Sequence, residues 1–174
     1  MRIIISPAKK MREDVDSLPP KGLPGLLGET ERLLAPLRGL SLPELKKLLS
    51  CNDQLAQLNY QRYQTMDLGR RLTPALLAYE GIQYRYMAPG VFSQGALDYV
   101  EDHLRILSGF YGVLRPFDGV TPYRLEMGAR LKTGFCKDLY DFWGEKLAAA
   151  LESDRVVLGL ASGGYSRAGV PPPP

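Results

Sequence analysis

The run Tyr123-Arg124-Leu125-Glu126-Met127-Gly128 carries the densest chemistry in this chain. On extended backbone, residues two apart project to the same side, so Arg124 and Glu126 share a face. An arginine so placed can grip an anionic group while the neighbouring acid fixes the ligand or handles a proton. A structural salt bridge holding a glycine-rich loop would use the same two residues, and both readings stay open at this level. Ser6 and Lys9 form a second group just beyond the short β-branched run Arg2 to Ser6, which Pro7 ends. Ligands of open α/β sheets tend to bind at the C-terminal ends of strands. Together these residues suggest a pocket for a small anionic ligand made of Ser6, Lys9, Arg115, Tyr123, Arg124 and Glu126. A solvated loop is the alternative for Ser6 and Lys9.

The surrounding stretch, His103 to Leu147, mixes closely spaced glycines (Gly109, Gly112, Gly119, Gly128, Gly134) with aromatic and basic residues. Between His103 and Lys137, six Lys/Arg face only Asp118 and Glu126. The first twelve residues add Arg2, Lys9, Lys10 and Arg12 with no acid. If the two stretches meet, they make a basic face suited to phosphates; scattered surface charges are the alternative. The overall balance is a mild +3.

A third group sits on a helix pair near 30–50. Ser41-Leu42-Pro43-Glu44 is a capping box, with Ser at the N-cap and Glu at N3. Arg38-Gly39-Leu40 precedes it, and Lys46 and Lys47 follow. Helix, tight turn and helix can aim backbone N–H groups at a DNA phosphate. The residues that would do so are Arg38, Gly39, Ser41, Lys46 and Lys47. Only one glycine stands in the turn, so an ordinary αα-hairpin fits equally.

RILSGFYGVLRPFD, followed by PYRLEMGARL and DLYDFWG, resembles the central signature of the YaaA peroxide-stress protein family, and the opening MRIIISPAKKM is similar to that family's N-terminus. The likeness runs in consistent order through about residues 1–162. It implies protection against hydrogen peroxide by limiting DNA damage or free intracellular iron, and a helix-hairpin-helix DNA-binding element at the helix pair. It also points to the Ser6–Lys9 segment. The pattern breaks after Ser162: where the family usually has an acidic residue before Tyr165, this chain has Gly163 and Gly164, then four terminal prolines. The chain thus resembles a C-terminally truncated or altered member. Exposed strand edges in such a piece favour self-association.

The elements that must position these groups follow from periodicity and caps. Strands are expected at Arg2–Ser6 and 155–161, paired with each other. Helices are expected from Thr30, from Ser41 to about Ser50, from Asn52 or Asp53 to Met66, from Thr73-Pro74 to Gly81, from Ser93 to Leu104 and from Asp138 to Glu152. The alternation Ile82, Tyr84, Tyr86 predicts a strand or extended arm, whose tyrosines with Arg85 would pack at a rim or stack on bases. His103, on the last turn of its helix, reads as a surface or capping residue.

The fold class is therefore α/β: a mixed sheet including strands near 2–6 and 155–161, surrounded by helices and incomplete at the C-terminus. Residues 1–162 form one domain and 163–174 an unstructured Gly/Pro-rich tail. A composition of 45% hydrophobic and 24% charged residues supports a real core. No apolar run approaches the ~20 residues of a membrane span. No secretory h-region opens the chain, so a cytoplasmic location is expected. Cys51 and Cys136 are too far apart for a CxxC pair, and one histidine excludes any site with two His ligands, so neither a metal nor a cofactor is implied. No nucleophilic triad, Walker loop or dinucleotide fingerprint is present. The leading reading is a DNA-binding peroxide-stress protein. The alternatives are an enzyme acting on a nucleotide or base at the Arg/Glu/Lys pocket, and an inactive fragment.

Overall fold

The computed structural model describes residues 1–151 and 157–168. In chain order, β1 (Arg2–Ile5) and β2 (Lys10–Met11) precede three helices, α1 (Leu27–Gly39), α2 (Leu42–Leu49) and α3 (Asp53–Thr65). Next come β3 (Thr73–Pro74), α4 (Ala75–Ala78), β4 (Tyr79–Glu80), α5 (Ile82–Met87), a 3-10 turn at Pro89–Val91 and α6 (Gln94–His103). The remaining described elements are β5 (Leu104–Ser108), β6 (Gly112–Leu114), β7 (Gly119–Val120), α7 (Leu139–Trp143), α8 (Lys146–Leu151), β8 (Val157–Gly159) and α9 (Gly163–Ser166).

β1 lies between β5 and β8 and runs parallel to both, while β6 pairs antiparallel with β5 at one edge. Ile3 stands opposite Leu104 on one side and Leu158 on the other. Ile4, Ile5, Ile106 and Leu107 are buried, as expected where helices cover a parallel sheet. The expected mixed α/β sheet is present, with 2–6 and the second predicted strand paired as anticipated; residues 155–156 of the latter lie outside the described residues. Two short antiparallel pairs, β2–β4 and β3–β7, stand apart from this sheet.

Two glycines let the β5–β6 hairpin press into the core. A Cβ on Gly109 would lie 2.6 Å from the Leu125 carbonyl oxygen. Gly112 has φ +82°, and a Cβ there would come within 2.8 Å of the Trp143 ring. Trp143 is fully buried, and its Nε1 donates to the Gly109 carbonyl at 2.9 Å. Tyr63, Phe110, Tyr111 and Tyr123 stack edge-on or tilted around this point, with ring centroids 5.0–6.0 Å apart.

The expected caps at Ser41, Asn52, Ser93 and Asp138 are all made by side-chain acceptors. Elsewhere the structure corrects the periodicity. Thr30 is not a cap: α1 begins at Leu27, and Thr30 is buried within it, its hydroxyl donating to the Phe110 carbonyl at 3.0 Å. Thr73-Pro74 is strand, and helix starts only at Ala75. Residues 82–87 are helical, not extended. Tyr84 turns into the core, whereas Ile82 and Tyr86, four apart, share an exposed face. Tyr79 is buried as well, so of the three tyrosines only Tyr86 is open to solvent. The helix expected from Asp138 is broken at Gly144, where φ is +47°. Leu58 points outward, and Ala56 and Asn59 take the inner face of α3 with Tyr63. His103 Nδ1 donates to the Met1 carbonyl (2.8 Å), and the ring stacks on Tyr99. Gly163–Ser166 forms a helical turn rather than a loose tail, anchored by buried Ala168 and half-buried Tyr165; the proline run lies outside the described residues. No helix among the described residues is long and apolar enough to cross a membrane.

Two measurements check this core. Gly109→Ala should lower unfolding free energy by about 1–3 kcal/mol through overpacking. Gly128→Ala, with nothing within 4 Å of its added Cβ, should stay within about 0.5 kcal/mol; equal urea midpoints for the two would contradict the packing described. Burial also pushes the hydroxyls of Tyr63, Tyr79, Tyr84, Tyr111 and Tyr123 up from their ordinary range. Above about pH 10 the unfolded chain loses protons that the folded chain keeps, so stability must fall as pH rises. Tyrosinate absorbance at about pH 11 should stay well short of ten tyrosines while the protein is folded, then jump on unfolding. A smooth titration of all ten with native circular dichroism would refute it.

Candidate functional site

Residues 121–126 belong to no helix or strand, yet Pro122, Tyr123, Leu125 and Met127 are buried. Buried irregular backbone must find partners for its polar groups. The Tyr63 hydroxyl, reaching from α3, donates to the Arg124 carbonyl at 2.7 Å. The Tyr123 amide donates to the Met11 sulfur at 3.4 Å. Tyr123, Leu125 and Met127 point into the core, while Arg124 and Glu126 alternate with them and are half-buried. This is the shared face expected of extended backbone.

The Tyr123 hydroxyl belongs to a buried chain of three. Ser108 Oγ accepts from the Phe110 and Tyr111 amides at 3.2 and 2.9 Å, so both its lone pairs are used. Its own proton therefore goes to Tyr123, and Tyr123 donates to Tyr79 at 2.7 Å.

A pocket of about 200 Å³ opens between Ser6–Lys9, Tyr123–Glu126, Ser162 and Tyr165. Ser6 and Ser162 follow the C-terminal ends of the parallel neighbours β1 and β8, which locates the pocket where α/β sheets bind ligands. Ser6 Oγ accepts from the Ser162 amide at 2.7 Å and lies 3.2 Å from the Ser162 hydroxyl. The Ser6 carbonyl accepts from Tyr84 at 2.8 Å. Lys9 Nζ pairs with Glu126 at 3.1 Å, with side chains 66% and 42% exposed. Such an open pair contributes no more than about 1 kcal/mol. Among the described residues, Arg124 Nε is buried without a hydrogen-bond partner. Burial pushes the Tyr165 hydroxyl up to about 12, against a bond from the Met127 amide.

Five of the six predicted pocket residues thus come together. Arg115 does not. It lies in the turn from β6 to β7, where its amide donates to Asp118 at 2.8 Å, and it lines a separate cavity of about 490 Å³ with Arg2, Lys21 and Arg105. Burial raises the Asp118 carboxyl there. Ser162 and Tyr165 were missed. The signal was a serine directly after each of two apolar strand runs, Arg2–Ile5 and 155–161.

The helix pair is built as α1 and α2, but its donors are engaged. Arg38 Nε donates to the Tyr63 carbonyl at 2.8 Å and Nη2 to that of Met66, closing the end of α3. The Ser41 amide donates to Glu44 at 2.7 Å, the Glu44 amide to Ser41 Oγ at 3.3 Å, and the Leu40 amide to Leu37 at 3.4 Å. Gly39 ends α1, and Lys46 pairs with Asp53 at 2.8 Å. Lys47 is exposed. The basic stretches meet only in part: Arg2 shares a cavity with Arg105 and Arg115, whereas Lys10 pairs with Glu80 and Lys9 with Glu126.

A cleft of about 790 Å³ collects Arg12, Arg62, Arg70 and Arg71, with Glu13 and Asp67 on its walls. Of these four arginines the sequence reading singles out Arg12 alone. Among the described residues, no group of three or more His, Cys, Asp or Glu is placed to hold a metal ion.

A family model described as peroxide stress protein YaaA matches residues 1–172. A UPF0246 protein of Desulfitobacterium hafniense is 57% identical over 168 residues, covering 96% of this chain and 67% of the relative. A UPF0246 protein of Lactiplantibacillus plantarum is 56% identical over 168 residues, covering 96% and 68%. One from Limosilactobacillus reuteri is 53% identical over 173 residues, covering 98% and 70%. The matched region thus spans about two thirds of each relative's length.

Tyr63→Phe leaves the Arg124 carbonyl buried without its donor and should cost about 1–3 kcal/mol. Tyr86→Phe, on a residue 84% exposed, should change stability by less than about 0.5 kcal/mol. Denaturant unfolding that ranks the two the other way would remove the proposed support for the site.

Proposed function

The chain belongs to the peroxide stress protein YaaA family, and from that premise we propose that it limits peroxide damage by binding DNA along the cleft lined by Arg12, Arg62, Arg70 and Arg71. The observation that carries this reading is that four arginines from three chain segments line one cleft of about 790 Å³. Guanidinium is the side chain best matched to phosphate oxygens, because its planar fork donates two parallel bonds.

The cleft is partly organised beforehand. Arg12 Nε is tied to the Leu77 carbonyl at 3.1 Å, and Arg62 Nη1 to Asn59 at 3.3 Å. Burial lowers the Arg62 pKa, so a phosphate that restores its lost solvation gains from contact there. Arg71 sits at φ +51°, outside the ordinary range of a residue with a side chain. Its partner Glu13 lies 3.6 Å away in an exposed pair, weak enough for a phosphate to displace. The contact surface of this proposal is therefore the cleft, with Lys47 as the hairpin's remaining open cation. A cytoplasmic location is part of the reading, and control of iron is not needed for it. Chemistry on a nucleotide at the Ser6–Lys9–Arg124–Glu126 pocket is the second reading, favoured by the buried, unpaired Arg124 Nε.

Duplex DNA binding, followed by fluorescence anisotropy across a salt series, tests the first. The log–log slope should fall in magnitude by about 2 in Arg70→Ala/Arg71→Ala. Lys46→Ala/Lys47→Ala should change it less. No binding by a folded, monodisperse sample, or a larger effect from the lysine pair, would overturn the cleft as the contact surface.

A further inference from the structure

We propose that the pocket at the ends of β1 and β8 binds a single oxyanion group of a small molecule, at a site separate from the arginine cleft. The first ground is Arg124. Its Nε is a charged donor, buried and without a partner. Leaving such a donor unsatisfied is costly, and native proteins carry few of them. The backbone at Arg124 cannot easily withdraw, because its carbonyl is held by Tyr63 and the next carbonyl is pressed by Gly109. An acceptor brought by a ligand satisfies the donor without moving that backbone.

The charges select the class. Lys9 and Arg124 bring two positive charges to the pocket and Glu126 one negative, so one negative charge on a ligand balances the set. Tyr165 lines the same wall as a neutral phenol, accepting from Met127 and keeping its own proton to donate. The volume, about 200 Å³, equals roughly seven waters at ~30 Å³ each. That holds a phosphate or carboxylate with a few further atoms, and it is far too small for a duplex. Arg124 lines the pocket while its Nε is shielded from solvent, so a side chain must move to admit the ligand to it. The open Lys9–Glu126 pair is the contact that can part at little cost. Lys9 then follows the anion, and Glu126 stays on the pocket wall that it lines.

Nitrogen-15 NMR of the full chain tests this through the Arg124 Nε–H resonance, assigned by its loss in Arg124→Lys. Inorganic phosphate and acetate are the probes. The expected result is a saturable downfield shift with at least one probe, accompanied by shifts at the Ser6 and Ala8 amides. Saturation by phosphate alone would mark a phosphate ester as the natural group, and by acetate alone a carboxylate. Glu126→Gln, which frees Lys9 and removes the opposing charge, should tighten binding several-fold. Arg124→Lys, checked for native dispersion, should abolish the saturable response at Ser6 and Ala8. The inference is overturned if neither probe gives a saturable shift in folded protein, or if Arg124→Lys responds as the parent does. Either failure leaves DNA binding at the cleft untouched, and loss of DNA binding leaves the pocket response in place.

Discussion

Tyr63 reaches from the third helix to give its hydroxyl proton to the Arg124 carbonyl, and much of the molecule is arranged around the segment it holds. Residues 121–126 cross the interior without strand partners. Their backbone is satisfied by side chains from distant parts of the chain: Tyr63 from α3 and Met11 from β2. Gly109 allows the β5–β6 hairpin to close on Leu125, and Trp143 fixes Gly109 in turn. Each of these contacts is local, yet together they tie helices, hairpin and sheet to one irregular run. The alternation of side chains along that run then decides what faces the core and what faces the pocket.

The distribution of charge follows from pairing more than from composition. The basic N-terminal residues and the basic central stretch could have formed one broad positive face. Instead Lys9 and Lys10 are taken by Glu126 and Glu80, and only Arg2 joins Arg105 and Arg115, in a cavity that also holds buried Asp118. Arg38 is spent on two carbonyls at the end of a helix. Two further places stand out among the described residues: the group of four arginines in the cleft and the unsatisfied Arg124 Nε. These are separate places with different capacities: an elongated polyanion suits one, a small oxyanion the other.

Much of this was legible in the sequence, for identifiable reasons. Period-two spacing placed Arg124 and Glu126 on one face, and β-branched runs located β1 and β8. Capping residues marked four helix starts, because a side-chain acceptor three residues before an amide is a local interaction. The failures arose where tertiary contacts decide. Thr30 has the chemistry of a cap but its hydroxyl is used across the core on Phe110. Three residues alternating between Ile82 and Tyr86 are too few to separate a strand from a short helix. Arg115 is close in sequence to Tyr123 but a turn carries it to another side. At Gly39 two local patterns compete, and the capping box wins: Glu44 consumes the Ser41 amide a phosphate would need. The apparent tail at Gly163 is ordered by Tyr165 and Ala168, two apolar contacts that glycine content hides.

The central claim is that this fold leaves one buried arginine donor in want of an acceptor. The most direct measurement is anomalous diffraction from crystals soaked in selenate, an oxyanion whose position can be read without ambiguity. The account predicts a selenium peak in the pocket within hydrogen-bond reach of Arg124 Nε, with the Lys9–Glu126 pair parted. Selenium peaks confined to the arginine cleft, with Arg124 Nε still unpaired in an empty pocket, would contradict it.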